Sequence, residues 1–288
     1  MTAGEALRDA ARRLGAAGCT TPELDADVLL GHVAGWDRAA RIARRRDVLD
    51  ENLHGQFEAL VERRLAREPI AHLVGTKEFF SLALVVDARV LVPRPETERL
   101  VEVALELVPN LPERERGPCI VDVGTGSGAV ALAIEAGLAR QRCRARIVAL
   151  DLSRDARAVA RCNLHRHDSR IALLGADLLA SLRPASVDLI VANPPYLSDE
   201  DLLAAPPELA FEPMLALAGG KPDGMGVIDR LLASAREALV PAGWLCFEIG
   251  AGQGEAALGR VCGGGFGKAR LVQDFEGRDR IVVCCRGD

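Results

Sequence analysis

The hydrophobic pattern changes character twice along the chain. Over residues 1–73, apolar side chains recur at helical spacing, as at Leu24, Val28 and Leu29, and strand-like alternation is nearly absent. Breaks rich in glycine, proline and aspartate separate these stretches. We therefore expect residues 1–73 to form a small domain of several short helices.

A strand-like segment follows the helical part. The apolar runs Phe79–Val86 and Val90–Val92 flank the polar tripeptide Asp87-Ala88-Arg89. Two such runs around a short polar break predict a β-hairpin. Residues 74–92 are accordingly expected to connect two domains through this hairpin.

Short buried strands alternate with longer helices over residues 93–288. This alternation predicts an α/β fold with a parallel, doubly wound, seven-stranded sheet of the Rossmann-like kind. The predicted strands are Cys119–Val123, Arg146–Leu150, Ile171–Leu174, Val187–Ala192, Trp244–Ile249, Leu271–Phe275 and Ile281–Cys285. The predicted helices are Glu96–Leu107, Ala129–Ala139, Arg154–His165, Val227–Leu239 and Glu255–Val261. The last two strands are too close for a helical crossover, so they should form an antiparallel hairpin.

Composition restricts the function classes. The 288 residues carry 36 Lys and Arg against 41 Asp and Glu, and the net charge of −5 does not favour a polyanionic partner. No apolar run has the ~18 residues of a membrane helix, and Glu5 and Asp9 argue against an organelle transit peptide. The eight cysteines include no C-x-x-C pair, so reduced thiols are expected rather than a metal site or disulfides. We expect a cytoplasmic protein.

A glycine-rich turn between the first strand of the predicted sheet and its helix is the first candidate site. It runs from Asp122 to Gly128 as DVGTGSG. Glycines let the backbone pass close to a ligand, and the start of the next helix offers free N–H groups. The spacing G-x-G-x-G differs from the dinucleotide pattern G-x-G-x-x-G, which disfavours a nicotinamide or flavin cofactor. The candidate cofactor contacts in this turn are Gly124, Thr125, Gly126, Ser127 and Gly128.

Two further acids follow strands of the same predicted sheet. Asp151 closes the second strand, where a carboxylate can accept both hydroxyls of a ribose. Asp177 follows the third strand, placed to meet the amine of an adenine ring, with Leu178 available to contact the base. Taken singly, each acid is more often a helix cap or a surface charge. Together with the glycine turn they indicate an adenosine without a pyrophosphate, a description that S-adenosylmethionine fits.

The fourth predicted strand ends in Asn193-Pro194-Pro195-Tyr196, the second candidate site. A planar –NH2 nitrogen is a poor nucleophile because its lone pair is delocalised. Its methylation requires acceptors that hold both N–H bonds as charge develops. The Asn193 side-chain oxygen and the Pro194 carbonyl can serve as these acceptors, the prolines restrict the backbone, and Tyr196 offers an aromatic wall. The structural alternative is a proline-rich turn that covers a strand end.

Two motifs resemble those of known methyltransferases. The tetrapeptide resembles the (Asn/Asp)-Pro-Pro-(Tyr/Phe) motif of enzymes that methylate planar nitrogens of adenine, cytosine, guanine or glutamine, so it indicates the reaction and leaves the substrate open. The segment Val90–Glu98, VLVPRPETE, resembles a signature of the HemK/PrmC family of release-factor protein-(glutamine-N5) methyltransferases. The resemblance extends over nearly the whole chain. Further matching segments are Leu24–Leu30, Glu68–Ile70, Glu78–Phe80, Phe211–Pro213 and Glu248–Gly250.

The resemblance implies roles for particular residues. Asn193 to Tyr196 would grip the glutamine of the Gly-Gly-Gln loop of class 1 peptide-chain release factors, with residues 1–73 as a substrate-recognition domain. Asn193 would also contact the cofactor, as would Asp151, Leu178 and the glycine turn. Leucine at 178, where relatives often carry an aromatic residue, would stack more weakly on adenine.

The same resemblance implies which residues line the pocket entrance and which partners the protein binds. Arg94 and Glu96 would line the entrance, although a helix start led by Pro95 explains Glu96 equally well. We expect S-adenosylmethionine as the cofactor, a release factor as the protein partner, no metal, no direct nucleic-acid or membrane binding, and a monomer.

Three other functions remain open. A ribosomal-protein glutamine-N5 methyltransferase shares the NPPY motif and a helical N-domain, but its connector resembles P-R-S-P instead of PRPETE. A DNA or RNA amino-group methyltransferase would need a basic groove or a target-recognition region, and neither is visible. A non-catalytic adenosine-binding or scaffold protein would not need to keep both Asn193 and the glycine turn.

Overall fold

The chain forms two compact units. The structure is a computed structural model that describes residues 1–112, 114–115 and 117–287. The smaller unit contains Met1–Thr76 together with Pro206–Phe211, and the larger unit contains Lys77–Ala205 and Glu212–Asp288. Within the described residues, no helix is long and apolar enough to cross a membrane.

The smaller unit is helical, as predicted. Its helices are α1 (Ala3–Ala16), α2 (Pro22–Ala34), α3 (Arg38–Ala43), α4 (Glu51–Leu65) and α5 (Ile70–Val74). Thr2 and Glu5 form a reciprocal capping box that satisfies free N–H groups at the start of α1. The apolar faces of the helices bury a common core around Leu14, Leu29 and Phe57.

Ion pairs attach Pro206–Phe211 to the helices of the smaller unit. Glu208 lies in the 3-10 helix Pro207–Phe211, and its Oε1 is 3.1 Å from Arg64 Nη1 and 2.8 Å from Arg67 Nη2. Arg64 is buried and also pairs with the buried Asp25 at 2.8 Å. Charge-assisted bonds of this kind anchor the segment to the helices. No pattern in the sequence predicted this association.

A β-hairpin follows the helices. Its strands are β1 (Thr76–Phe79) and β2 (Leu82–Val85). Phe80 and Ser81 form the turn with φ of 51° and 64°. Two successive left-handed residues are typical of the tight turns that join hairpin strands.

The predicted hairpin was wrong in its turn and in its second strand. The prediction placed the turn at Asp87–Arg89 and the second strand at Val90–Val92, because Phe79–Val86 reads as one apolar run. In the structure, Val90 N donates to the Asp87 carbonyl at 3.1 Å, and residues 90–92 lie outside any strand. An aromatic residue at a turn position concealed the break in the pattern.

Seven strands form the sheet of the larger unit. They are β3 (Cys119–Val123), β4 (Arg146–Asp151), β5 (Ala172–Gly175), β6 (Val187–Ala192), β7 (Leu239–Glu248), β8 (Phe266–Gln273) and β9 (Asp279–Arg286). Their order is β5-β4-β3-β6-β7-β9-β8, with β9 antiparallel to both neighbours and the other pairs parallel. The α/β fold and the terminal hairpin are thereby confirmed. β8 begins at Phe266, upstream of the predicted Leu271, because exposed polar positions at this sheet edge interrupt its apolar pattern.

Helices cover both faces of the sheet. They are α6 (Glu96–Leu107), α7 (Ala129–Gln141), α8 (Arg154–Arg166), α10 (Gly226–Ala238) and α11 (Gly254–Gly263). The short helix α9 (Asp199–Leu203) buries no residue. One core cluster contains the apolar residues of α6 and α7, and a second contains those of α10 and α11. The central strands β3 and β6 are buried at every position, which explains their continuous apolar runs.

The direction in which strands are added reverses at β3. The chain continues from β3 to β4 on one side and later returns to place β6 on the other. β3 and β6 are parallel, with Val123 opposite Ala192 at their carboxyl ends. In open α/β sheets, ligands bind in the crevice at such a switch point.

Asn163 on α8 joins three elements of the larger unit. It is completely buried, and its Oδ1 accepts a 2.7 Å hydrogen bond from Val85 N. Its Nδ2 donates to the carbonyls of Val85 at 2.9 Å and Ser127 at 2.8 Å. The side chain thus pairs with β2 as a strand backbone would and ties β2 to the glycine turn.

Replacing this amide should destabilise the fold. Asn163→Ala is expected to lower the free energy of unfolding by about 3 kcal/mol, because one buried and two partly buried backbone groups lose their partners at roughly 1–3 kcal/mol each. The exposed Asn110, whose amide donates a 3.4 Å bond to the Glu106 carbonyl, is the control, and Asn110→Ala should change stability by less than about 0.5 kcal/mol. Urea unfolding of both variants provides the measurement, and equal losses would contradict the role given to Asn163.

Candidate active site

A cavity opens in the larger unit at the carboxyl ends of β3, β4 and β6. The predicted site residues that line it are Gly124, Gly126, Asp151, Asp177, Leu178, Asn193 and Pro195. Residues that were not predicted also line it, among them Arg89, Leu152, Pro213, Leu215 and Arg230. The structure therefore brings the glycine turn and the Asn-Pro-Pro-Tyr turn to one crevice.

The glycine turn supplies one wall of the cavity. Gly124 and Gly126 have φ of 70° and 56°, which glycine adopts without strain. A Cβ at Gly124 would meet no atom within 4 Å, so the backbone there is open towards the cavity. Gly128 precedes α7, and a Cβ there would lie 3.6 Å from the Ala160 side chain, so this third glycine faces the helices.

Thr125 and Ser127 hold the shape of this turn from the buried side and are not among the cavity-lining residues. Thr125 donates its hydroxyl to Asp122 Oδ2 at 2.6 Å, and Ala131 N donates to the same oxygen at 3.2 Å. Burial raises the pKa of Asp122 to about 7. The Ser127 carbonyl accepts the bond from Asn163.

Asp151 ends β4 at the cavity wall. Its Oδ2 accepts a 2.8 Å bond from Gly126 N, and its Oδ1 accepts a 2.8 Å bond from Ser153 N. Burial raises the pKa of Asp151, while these two bonds and the nearby Arg157 oppose the shift. Each carboxylate oxygen keeps a lone pair for a ligand hydroxyl. Beside it, Leu152 is 53% exposed on the same wall and presents an apolar surface.

Asp177 and Leu178 line the cavity just beyond the end of β5. Asp177 Oδ2 lies 2.5 Å from Arg230 Nη2, and both side chains are largely exposed. An exposed ion pair contributes little free energy. This ion pair does not commit the carboxylate, and its contact with an adenine amine stays a prediction.

The Asn-Pro-Pro-Tyr turn leaves the end of β6 next to the glycine turn. Asn193 and Pro195 line the cavity, whereas Pro194 and Tyr196 are not among the lining residues. The Tyr196 carbonyl accepts a 2.9 Å hydrogen bond from Gln253 Nε2. This bond fixes the far end of the turn.

A chain of side-chain hydrogen bonds lies behind the turn. Asn193 Nδ2 donates to Thr97 Oγ1 at 3.1 Å, and Thr97 donates to Glu248 Oε2 at 2.7 Å. The Tyr196 hydroxyl donates to Glu248 Oε1 at 3.2 Å. Burial raises the pKa of Glu248 and of Tyr196. Thr97 and Glu248 were not predicted as site residues, although both lie in segments that carry the family resemblance.

Arg94 and Glu96 are not among the residues that line the cavity. Arg94 Nη2 pairs with the buried Glu212 Oε1 at 2.5 Å, and Val92 N donates to Glu212 Oε2 at 3.0 Å. Glu96 is the first residue of α6. Since Glu212 precedes the cavity-lining Pro213, Arg94 anchors the segment that forms this wall. Among the described residues, no cluster of three or more His, Cys, Asp and Glu side chains could hold a metal ion.

Two glycines near the turn have the same backbone conformation in different surroundings. Gly220 and Gly224 have φ of 66° and 70°. A Cβ at Gly224 would collide with the Tyr196 carbonyl oxygen and lie 3.0 Å from Ser198 N, whereas a Cβ at Gly220 would meet nothing within 4 Å. Gly224 therefore allows the close approach that holds Tyr196 in place.

This pair provides a matched test of the packing against the turn. Both alanine variants incur the same left-handed strain, roughly 1–2 kcal/mol. Gly224→Ala should lose a further ~1–3 kcal/mol of unfolding free energy because its methyl group overpacks against the Tyr196 carbonyl. Chemical denaturation measures the difference between the variants. Equal stabilities would mean that the turn accommodates the methyl group freely.

Two family models match separate parts of the chain. The family model of the PrmC N-terminal domain matches residues 5–75, and the model of the methyltransferase small domain matches residues 102–206. Among solved structures, a methyltransferase from Pyrococcus furiosus has a TM-score of 0.53 at 18% identity and covers 80% of this chain and 98% of its own. The N-terminal domain of human METTL16, in complex with SAH, has a TM-score of 0.52 at 15% identity, with coverages of 73% and 77%. These two likenesses concern the fold.

Curated relatives match over nearly the full length. The release factor glutamine methyltransferase of Moorella thermoacetica is 40% identical over 294 residues, which cover 99% of each chain. That of Deinococcus radiodurans is 38% identical with 98% of each chain covered, and that of Escherichia coli is 37% identical with 96% of each covered. Identity at this level over the whole length, together with the matched N-terminal and methyltransferase domains, shows that the chain belongs to the release factor glutamine methyltransferase family.

Proposed function

We propose that the protein transfers a methyl group from S-adenosylmethionine to the N5 side-chain amide nitrogen of the glutamine in the Gly-Gly-Gln loop of class 1 release factors. The observation that carries this proposal is the single cavity that Gly124, Gly126 and Asp151 share with Asn193 and Pro195. A nucleoside site and a site for a flat –NH2 group thus adjoin. Membership of the family supplies the identity of the protein substrate.

The residues of the cavity fit the adenosine part of S-adenosylmethionine. Asp151 ends a strand with one lone pair free on each oxygen, suitable for the two ribose hydroxyls. Leu152 and Leu178 offer apolar surface to the adenine ring, and Asp177 offers an acceptor to its amine. The open backbone at Gly124 leaves room for the remainder of the molecule. When bound, S-adenosylmethionine supplies the electrophilic methyl group.

Asn193 and Pro194 act on the substrate amide. The amide nitrogen carries two N–H bonds, and the Asn193 side-chain oxygen and the Pro194 carbonyl accept one each. Acceptors held in place favour the charge that develops on the nitrogen as its geometry becomes pyramidal. Because the acceptors are fixed, they also align the nitrogen for in-line attack on the methyl group. The two reactants are then already oriented and do not depend on a random bimolecular encounter.

The mechanism needs no strong base. Once methylated, the amide nitrogen is a strong acid and releases its proton without assistance. Tyr196 is not an ionised base, because burial and the neighbouring Glu248 raise the pKa of its phenol. Its ring instead supports the flat substrate, while its hydroxyl is held by Glu248.

The domains take separate parts in this proposal. Residues 93–288 bind S-adenosylmethionine and catalyse the transfer, residues 74–92 connect the domains, and residues 1–73 recognise the release factor. The protein acts as a monomer on a protein partner in the cytoplasm, where release factors function. The net charge of −5 gives no support to direct nucleic-acid binding.

A substrate panel tests the function. The purified protein with S-adenosylmethionine should add one methyl group to a class 1 release factor, seen by intact mass and located on the Gly-Gly-Gln glutamine by peptide fragmentation. A release factor with that glutamine replaced should gain none. Methylation of only a ribosomal protein, DNA or RNA from the same panel would overturn the proposal.

The role of Asn193 is tested with the active substrate. Asn193→Ala should lower kcat by about 100-fold or more, because it removes one of two acceptors in the transition state. Calorimetry should give a Kd for S-adenosylmethionine within about threefold of the original, since Asp151 and the glycine turn carry most of the cofactor contacts. Asn110→Ala serves as the surface control. An unchanged kcat in Asn193→Ala would remove the amide from the mechanism.

A further inference from the structure

The hydrogen-bonded chain behind Asn193 joins three elements of the larger unit. Thr97 lies in the first turn of α6, Glu248 is the last residue of β7, and Tyr196 follows β6. Thr97 is 4% exposed and Glu248 is 1% exposed, so water does not compete for these bonds. The distances along the chain are 3.1 Å from Asn193 to Thr97, 2.7 Å from Thr97 to Glu248 and 3.2 Å from Tyr196 to Glu248.

The donors and acceptors available at each residue determine the direction in which these hydrogen bonds run. A carboxylate is an acceptor alone, and each Glu248 oxygen receives one hydroxyl, from Thr97 or from Tyr196. Thr97 has a single hydroxyl proton, which this bond uses. Its oxygen can then only accept, so the Asn193 atom that faces it must be the donor Nδ2. The nitrogen and the oxygen of a side-chain amide have nearly the same shape, so the hydrogen-bonding partners decide which atom occupies which position.

The direction of the chain determines what Asn193 presents to the cavity. With Nδ2 turned towards Thr97, the side-chain oxygen is the amide atom left to face the crevice that Asn193 lines. A glutamine –NH2 group needs acceptors there. If the amide were reversed, its NH2 would face the substrate NH2, and two donors cannot bond to each other.

We propose that Thr97 is a positioning residue that fixes the Asn193 amide with its oxygen facing the substrate glutamine, in a direction set by Glu248. The inference rests on the proposed function, because only an –NH2 substrate requires an acceptor at this point. The Thr97 side chain bonds to Glu248, and no side chain caps the start of α6. A positioning role therefore explains the threonine of the PRPETE segment where helix capping does not. Thr97 itself does not touch the reacting atoms.

A matched pair of substitutions separates the hydroxyl from its packing. Thr97→Val keeps the shape and loses the hydroxyl, whereas Thr97→Ser keeps the hydroxyl and loses a methyl group. The Asn193 amide should lose its fixed orientation in Thr97→Val alone. We expect kcat of Thr97→Val to fall about tenfold or more, with KM for the release factor and Kd for S-adenosylmethionine within about threefold, as for an interaction used in the transition state. Thr97→Ser should keep kcat within about threefold of the original.

The outcomes separate this inference from the proposed function. The unsubstituted protein is assayed first on the release factor, and failure there refutes the function itself. If it is active and Thr97→Val matches it, Thr97 has no positioning role. Equal losses in Thr97→Val and Thr97→Ser, or a loss of cofactor affinity that parallels the loss of kcat, would assign Thr97 to packing and also overturn the proposal.

Glu248→Gln provides a second variant in case Thr97→Val does not fold. The amide of the new glutamine can donate as well as accept, so the hydrogen bonds of the chain can run in the opposite direction. The Asn193 amide is then no longer held in one orientation. The expected result is a kcat lowered about threefold or more at unchanged Kd for S-adenosylmethionine. A Glu248→Gln protein with the original kcat would show that the direction of the chain does not matter.

Discussion

The parallel pairing of β3 with β6 is the constraint on which the rest of the active site depends. Val123 lies opposite Ala192, so the chain leaves the sheet at two adjacent points. The glycine turn begins after one point and the Asn-Pro-Pro-Tyr turn after the other. Backbone hydrogen bonds alone therefore place the two turns side by side, as the proposed transfer from a methyl donor at the first to an amide at the second requires. A shift of this register would separate the two halves of the site.

Buried acids form a supporting layer beneath these turns. Asp122 holds the glycine turn through Thr125, Asp151 holds it through Gly126, and Glu248 receives hydroxyls from behind the Asn-Pro-Pro-Tyr turn. Burial raises the pKa of each of these carboxyls, and the hydrogen bonds they accept oppose that effect. The same bonds that stabilise the charge fix the loops. Asp122 and Glu248 support the turns without lining the cavity, whereas Asp151 both supports the glycine turn and lines the cavity.

The sequence predicted the architecture well where the pattern was uniform. β3, β6 and α6 have the predicted bounds because their apolar runs are bordered by clear turn residues. The position of the hairpin turn was not predicted, because Phe80 continues the apolar run into a left-handed turn. Pro206–Phe211 gave no signal of its place in the helical unit, since its anchor is an ion pair between Glu208 and arginines far away in sequence.

Prediction of the site was limited in a different way. Cavity-lining residues such as Gly124, Asp151 and Asn193 could be predicted from rules about strand ends. Their individual roles stay predictions, as do the domain boundaries at residues 73 and 92. Thr97 and Glu248 could not be paired from the sequence, because spacing within a motif does not reveal which residues of distant segments face each other. That pairing needs the packing of α6 against β7.

The proposed transfer requires two fixed acceptors that hold a glutamine amide beside the methyl donor. A crystal structure of the protein with S-adenosylhomocysteine and a Gly-Gly-Gln peptide tests it most directly. We expect the glutamine amide nitrogen to lie about 2.7–3.2 Å from both the Asn193 side-chain oxygen and the Pro194 carbonyl oxygen. A glutamine bound outside this crevice, or one whose carbonyl oxygen occupies the expected position of its nitrogen, would refute the proposed role of the two acceptors.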